Sequence, residues 1–447
     1  WTNGLSFTKT FAYDDYFLAK PFLEKLKTGE IDESVVNEKV RRILRLMYRT
    51  NMNPNRLTGR MNNKEHHEVA RKIGVEGIVL LENKNGFFPI DPDKEITIAV
   101  IGENATRSMT VGGGSSELKA QYEISPLVGL QKRFTNAKIV HSIGYAAGAS
   151  AWGKEIPSRL DADSLIKAAV DVAAKADVVL FIGGLNKNHF QDCEGGDRKQ
   201  LGLPFGQDKL INELAKVNSN IGVILISGNA VKMQWLPSVK TVMQAWYLGS
   251  DAGFAIADVV SGDENPSGKL PFTFPVKLND NAAHSFGEMS YPGDSINQYY
   301  KEDIYVGYRW HDTKKIKPLF AFGHGLSYTD FKISDAKADK KEYAAGETIK
   351  ISCQLSNIGD RAGSEVVQVY VGMPNSKVER AQKELKAFKK VLLEKGISKN
   401  VELTINVDNL AFYDESVSDW NLEKGEYIIY VGNASDNIIQ KIKISVK

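Results

Sequence analysis

Asp177-Val-Val-Leu-Phe-Ile-Gly-Gly184, followed by Leu185-Asn-Lys-Asn-His-Phe-Gln-Asp-Cys-Glu-Gly-Gly-Asp-Arg198, decides the reading of this chain. The first phrase is a short β-branched run closed by glycines, the mark of a buried strand. The second is a long polar loop. Working outward, similar runs recur with helical patterns between them: Ile96-Thr-Ile-Ala-Val-Ile-Gly102, Ile221-Gly-Val-Ile-Leu-Ile-Ser-Gly228 and Thr241-Val-Met-Gln-Ala-Trp246. The intervening helices are expected over 65–83, 161–175, 208–217 and 253–260. Strands alternating with helices predict a mostly parallel sheet covered on both faces, an α/β sandwich domain over 56–275. Such sheets bind ligands beyond the carboxyl ends of their strands, which singles out the loops after Gly102, Gly184 and Gly228.

The pattern changes on either side. Before residue 55, Pro21–Lys27 and a longer run with apolar Val35, Val36, Val40, Ile43, Leu44 and Met47 read as two helices, Asp32 or Ser34 capping the second. Two helices bury too little to stand as a domain. An irregular connector is expected over 276–327. Alternating runs such as Thr348–Leu355, Glu365–Val371, Asn400–Val407 and Tyr427–Val431 then predict a β-sandwich over 328–447.

Composition restricts the function classes. The 447 residues are 42% hydrophobic and 25% charged with a formal net charge of +2, values of an ordinary folded protein. No block of like charge calls for nucleic acid or an anionic membrane, and no apolar run has membrane-spanning length. The two cysteines, Cys193 and Cys353, fall in different expected domains, which excludes a disulfide framework. Low cysteine content fits cytosolic and many periplasmic proteins. The expectation adopted is a periplasmic or secreted protein whose signal region is not present in the chain, because the first residue is Trp1 rather than Met.

The loop after Gly184 gathers Asp192, Glu194, Asp197 and Arg198 at a predicted ligand-binding edge. Gly195 and Gly196 permit the sharp turns that aim a side chain away from the sheet. A carboxyl projected into a cleft and held protonated by burial is suited to general acid catalysis. Spacing alone also fits a solvated acidic loop with an internal Asp197–Arg198 pair. The glycines before Ser115 invite a phosphate-loop reading, but the Walker lysine is missing and no dinucleotide fingerprint follows a strand. His66, His67, His189, His284 and His324 have no metal-ligand spacing.

Glu194-Gly-Gly-Asp-Arg198, with Leu203-Pro204 and Gln207 after it, resembles the acid/base loop of glycoside hydrolase family 3. Other phrases similar to the family stand around it in the family's order: Val40-Arg-Arg-Ile-Leu, Glu76-Gly-Ile-Val-Leu-Leu-Glu-Asn, Ile101-Gly-Glu-Asn-Ala, Gly112-Gly-Gly-Ser-Ser, Gln244-Ala-Trp-Tyr, Asn265-Pro-Ser-Gly-Lys-Leu-Pro-Phe-Thr-Phe-Pro, Tyr305-Val-Gly-Tyr-Arg and Phe322-Gly-His-Gly-Leu-Ser-Tyr. Glu384-Leu-Lys-Ala-Phe-Lys-Lys-Val is similar to the family's fibronectin-III-like domain. Together these cover nearly the whole chain.

The resemblance implies a retaining exo-acting β-glycosidase of β-glucosidase type, with Glu194 as acid/base and no cofactor. β-Xylosidase specificity and a non-catalytic fragment or subunit are the alternatives. It implies that residues 1–55 are the last helices of a (β/α)8 barrel whose strands, with the nucleophilic Asp, lie outside this chain. Ser115 or Ser116, Asp197 and Arg198 are the implied substrate-binding residues. The partners implied are a β-glucoside or oligosaccharide and the missing barrel, with homo-oligomerisation left open. Ser418-Asp419-Trp420 copies the phrase in which the family's nucleophile commonly sits, but it falls among the sandwich strands, so Asp419 is read as structural. His324 is read as a packed loop residue. Trp152, Trp246 and Tyr247 are sugar-stacking candidates whose commoner use is core packing. The loop 186–203 is expected to reach outward from its own sheet toward the barrel.

Overall fold

The computed structural model describes residues 18–107, 110, 113–115, 118–149, 153–294 and 296–447. The chain divides after Asn63 into two compact units. The first contains α1 (Lys20–Lys27) and α2 (Glu33–Arg49), where Asp32 caps α2 by accepting from the Ser34 N–H. Neither helix has a buried residue, and Val40, Ile43, Leu44, Leu46 and Met47 of α2 are exposed.

The second unit opens with α3 (Lys64–Gly77) and β1 (Val79–Asn83). There follow β2 (Thr97–Ile101), α4 (Pro126–Arg133), β3 (Lys138–Ser142), α5 (Ala162–Ala173), β4 (Val178–Gly184), α6 (Gln207–Val217), β5 (Ile221–Ile226), β6 (Thr241–Gln244) and α7 (Ala252–Ser261). The six strands form one sheet in the order β1-β6-β5-β4-β2-β3, parallel throughout except for antiparallel β1. Side chains from its two faces enter two separate apolar cores, one with Phe181, Leu210 and Trp235, the other with Leu180, Leu130 and Ile256. That two-sided burial explains why β4 and β5 are apolar at nearly every position.

The expected helix over 65–83 is corrected here. It stops at Gly77, and Ile78 to Leu81, each at most 1% exposed, enter the sheet edge instead. Their burial on both sides suits a strand; β6 pairs with Val79 and Leu80, while Gly268 and Leu326 donate to the Ile78 and Leu80 carbonyls. Helix α4 and strand β3 stand in a stretch for which no element was expected.

Beyond α7 the connector holds α8 (Ala282–Ser285) and α9 (Tyr308–Lys314). The sandwich then comprises β7 (Phe331–Ala338), β8 (Glu342–Tyr343), β9 (Thr348–Asn357), β10 (Gly363–Gly372), β11 (Glu384–Leu393), β12 (Ser398–Asn406), β13 (Phe412–Asp414), β14 (Asp419–Asn421), β15 (Gly425–Gly432) and β16 (Ile438–Val446). Sheets β11-β10-β15-β16-β8 and β12-β9-β7 enclose a third core that includes Ile351, Val369, Val401 and Ile429. Alternate residues of β9 and β12 point inward, as period-2 patterning requires.

The α/β layer and the sandwich meet through a polar seam. Lys269 forms a 2.7 Å ion pair with Glu365 of β10, their side chains 13% and 8% exposed. Asn265 donates to the Ala362 carbonyl and accepts from the Tyr328 N–H. Phe274 exchanges backbone hydrogen bonds with Phe320, so 270–274 and 319–324 run side by side.

Candidate functional site

Strand β4 ends at Gly184, and its loop begins by packing back on the sheet. Leu185 donates to the Ile226 carbonyl, while Asn186 and Asn188 are buried. The loop then turns outward. Asp192 is held by three donors from the neighbouring strand ends: the Gly228 N–H at 2.6 Å, the Asn229 amide at 2.9 Å and the Tyr247 hydroxyl at 2.8 Å. Burial and Asp192 together push the Tyr247 phenol well above its ordinary value. Cys193 pairs with Gly196, so Glu194 and Gly195 form the exposed tip of a tight turn. The root of the loop thus lies on its own sheet, while the tip carrying Glu194 reaches outward.

The glycine loop after β2 meets this tip. Glu194 donates its N–H to the Gly113 carbonyl, 2.7 Å away. Its carboxylate accepts from both the N–H and the hydroxyl of Ser115. Glycine permits the approach: a Cβ on Gly114, whose φ is +109°, would lie 2.5 Å from the Glu194 Cβ. The Ser115 hydroxyl, then its N–H, hold the Glu194 carboxyl below the usual range and outweigh the small opposing effect of burial. Here Glu194 favours the carboxylate, the base form of an acid/base group. The raised value that a general acid needs requires a cover that removes water from this tip.

Arg198 and Asp197 lie on the same cleft as Glu194. Arg198 donates through Nη2 to the Ala230 carbonyl at 2.7 Å, and burial pulls the guanidinium below its ordinary value. Asp197 accepts from the Tyr291 hydroxyl, whose ring stands 4.9 Å from that of His284. Burial holds the His284 imidazole below its usual value. The cleft, about 790 Å³, is walled by the Glu194 loop, the Gly228–Ala230 segment, Phe272–Thr273 and connector residues including His284 and Tyr291.

The sequence reading therefore places Glu194, Ser115, Asp197 and Arg198 within one locality, at the carboxyl ends of parallel strands. It passed over the connector's contribution. His284 and Tyr291 lie some 90 residues beyond the loop they face and carry no local motif; their composition, aromatic and polar side chains in an irregular stretch, was the one available signal. Trp246 donates to the Gly77 carbonyl and packs on Phe272, and Tyr247 braces Asp192, so both are spent on structure. His324 stacks on Phe320 and contacts the Leu81 carbonyl. Asp419 is exposed on the β13–β14 hairpin of the sandwich. Both cysteines are free. Ser116 and Trp152 lie outside the described residues. Among the described residues no His, Cys, Asp and Glu cluster could hold a metal, and no helix is long and apolar enough to cross a membrane.

Comparison with known proteins fits this architecture. Residues 78–328 match the glycosyl hydrolase family 3 C-terminal domain and 365–435 the fibronectin type III-like domain. Among curated relatives, the beta-glucosidase BoGH3A of Bacteroides ovatus is 46% identical over 98% of this chain and 59% of its own length. Thermostable beta-glucosidase B of Acetivibrio thermocellus is 37% identical over 96% of this chain and 54% of its own length. The chain thus spans somewhat more than half of these relatives. The crystal structure of a Bifidobacterium adolescentis GH3 beta-glucosidase superposes with a TM-score of 0.84 at 30% identity, covering 96% of this chain and 60% of that one. Beta-glucosidase 3B of Thermotoga neapolitana, solved in complex with glucose, gives 0.81 at 31% identity, over 95% of this chain and 60% of that one. With one domain match spanning more than half of its residues and the expected sandwich behind it, this chain belongs to glycoside hydrolase family 3.

Proposed function

We propose that Glu194 is the acid/base of a retaining, exo-acting β-glucosidase whose nucleophilic Asp comes from a barrel domain outside this chain. The observation that carries the reading is the exposed Glu194 carboxylate, braced by Ser115 at the mouth of a cleft beyond the carboxyl ends of β4 and β5. The beta-glucosidase names of the relatives support it. So does the exposed apolar face of α2, which needs a covering partner.

Retention requires two carboxyl groups about 5–5.5 Å apart. In the first step the nucleophile attacks the anomeric carbon. Protonated Glu194 gives its proton to the glycosidic oxygen as the C1–O bond breaks. In the second, ionised Glu194 takes a proton from water, whose oxygen attacks C1 and releases the nucleophile. A barrel closing over the tip raises the Glu194 pKa by desolvation, making the acid form available. Asp197 and Arg198 bind substrate beside it, with Ser115 at the sugar, no cofactor takes part, and the protein works in the periplasm or outside the cell.

The test uses the barrel-containing enzyme. Glu194→Gln should lower kcat on glucosides with poor leaving groups by orders of magnitude and spare activated aryl glucosides in the first step, with azide restoring part of the second. Wild-type kinetics in this variant, alongside an inactive Asp192→Asn, would move the role to the neighbouring carboxylate. The 447-residue chain alone should not turn over an aryl β-glucoside.

A further inference from the structure

Strands β13 and β14 pair with each other alone, as a hairpin that belongs to neither large sheet of the sandwich. Their register sets Tyr413 opposite Trp420, so both rings lie on one face, 51% and 68% exposed. The rings stand nearly perpendicular, their centroids 5.8 Å apart. The preceding pair, Phe412 and Asn421, points to the other face, where the Arg380 guanidinium lies 5.9 Å from the centre of the Phe412 ring. That side fastens the hairpin to the sandwich and leaves the Tyr413–Trp420 side turned outward. Neither ring belongs to the sandwich core. Two large rings held together in water mark a binding surface rather than a packing contact.

Chemistry narrows the occupant. From Ala411 to Leu422 the hairpin carries Asp414, Glu415 and Asp419 and no Lys or Arg. Nucleic acid, an anionic membrane and acidic polysaccharides are repelled by that charge. The electron-rich face of an aromatic ring attracts the slightly positive C–H groups on the flat side of a sugar ring. At the ring edges the Trp420 indole N–H can donate, and the Tyr413 hydroxyl can donate or accept, to sugar hydroxyls. A neutral sugar chain therefore suits both the rings and the charge around them.

The place of the hairpin points the same way. The Tyr305 hydroxyl donates to the Arg380 carbonyl, 3.5 Å away, and the next two connector residues, Val306 and Gly307, line the Glu194 cleft. Arg380 thus bridges β13 to the segment that walls the cleft. We propose that the Tyr413–Trp420 pair is a non-catalytic binding site for a neutral β-glucan chain, which it holds beside that cleft. That the sugar is glucose rests on the β-glucosidase reading; the aromatic platform does not. A chain held there meets the cleft as a tethered partner, at a raised effective concentration.

The experiment is native electrophoresis of the barrel-containing enzyme through gels with and without a soluble mixed-linkage β-glucan. The polymer should retard the wild type. Trp420→Ala should weaken the apparent affinity about tenfold, the usual scale for truncating an aromatic anchor. Trp420→Tyr, which keeps a ring, should retain most of the retardation. Both variants should keep wild-type kcat and KM on 4-nitrophenyl β-glucoside, since the hairpin takes no part in the chemistry. Equal retardation of wild type and folded Trp420→Ala would put the binding elsewhere and overturn the proposal, as would a wild type that runs unretarded. If Trp420→Ala does not fold, Tyr413→Ser is read in its place. Retardation that depends on Trp420, in an enzyme inactive on aryl glucosides, would uphold the platform and sink the β-glucosidase reading.

Discussion

At the scale of single residues, Glu194 and Ser115 set two demands against each other. The Ser115 hydroxyl and N–H favour the ionised carboxyl, whereas the first catalytic step proposed for Glu194 requires the protonated one. Removing the hydroxyl by Ser115→Ala should therefore raise the Glu194 pKa in the 447-residue chain. A ¹³C-detected titration of that side chain reads the change directly, and an unmoved midpoint would mean the hydroxyl does not reach the carboxylate in solution. The sign carries over to stability. A carboxyl held below its unfolded value, about 4.3 for Glu, contributes stability above that value and loses it as the pH falls through the folded pKa. The variant's stability should accordingly fall less between neutral and acid pH.

At the scale of elements, the Glu194 loop is an extension of β4 fastened by Asp192 to the ends of β5 and β6. Asp192→Ala would strip the Gly228 N–H, the Asn229 amide and the Tyr247 hydroxyl of their acceptor. A loss of about 1–3 kcal/mol follows from the partly buried donors left unpaired. It should appear in the urea midpoint, with faster amide exchange confined to residues 188–200 and the strand ends. Uniform acceleration across the sheet would contradict a local fastening. The spacing of glycines and carboxylates made this loop visible in the sequence, because β4 and β5 are so apolar that the polar stretch after them stands out. What Asp192 does was not visible, because its partners are brought to it by two other strands. For the same reason β1 was mistaken for helix: Ile78 to Leu81 continue the apolar run of α3, and only pairing with β6 tells strand from helix. β3 went unread because its residues are half-exposed and mixed in character, without the apolar density of the central strands.

Across the whole second unit, the α/β layer and the sandwich are joined by the buried Lys269–Glu365 pair. Lys269→Met leaves Glu365 buried with only the Asn433 amide and the Val366 N–H as donors. Truncating one partner of such a pair typically costs about 3–5 kcal/mol. Lys269→Met should lower the denaturation midpoint by a corresponding amount, and adding Glu365→Leu should recover part of it. Calorimetry would check both, and equal midpoints for wild type and Lys269→Met would mean that the seam bears little of the stability. The sequence named both sides of this seam, as the Asn265-to-Pro275 phrase and the run beginning at Glu365, without revealing that they touch.

The two fastenings of the Glu194 turn have a practical consequence for transplanting it. Asp192 is moored to residues of the next two strand ends, and Asp197, just past the tip, to Tyr291 in the connector. Glu194 therefore takes its position from the α/β layer and the connector together, through segments that reach from Gly113 to Tyr291. Copying Glu194-Gly-Gly-Asp-Arg198 onto another scaffold would carry the letters and leave the address behind. A working graft would have to bring Gly228, Tyr247 and Tyr291 with it, and keep the glycine at 114 whose missing side chain makes room for the turn.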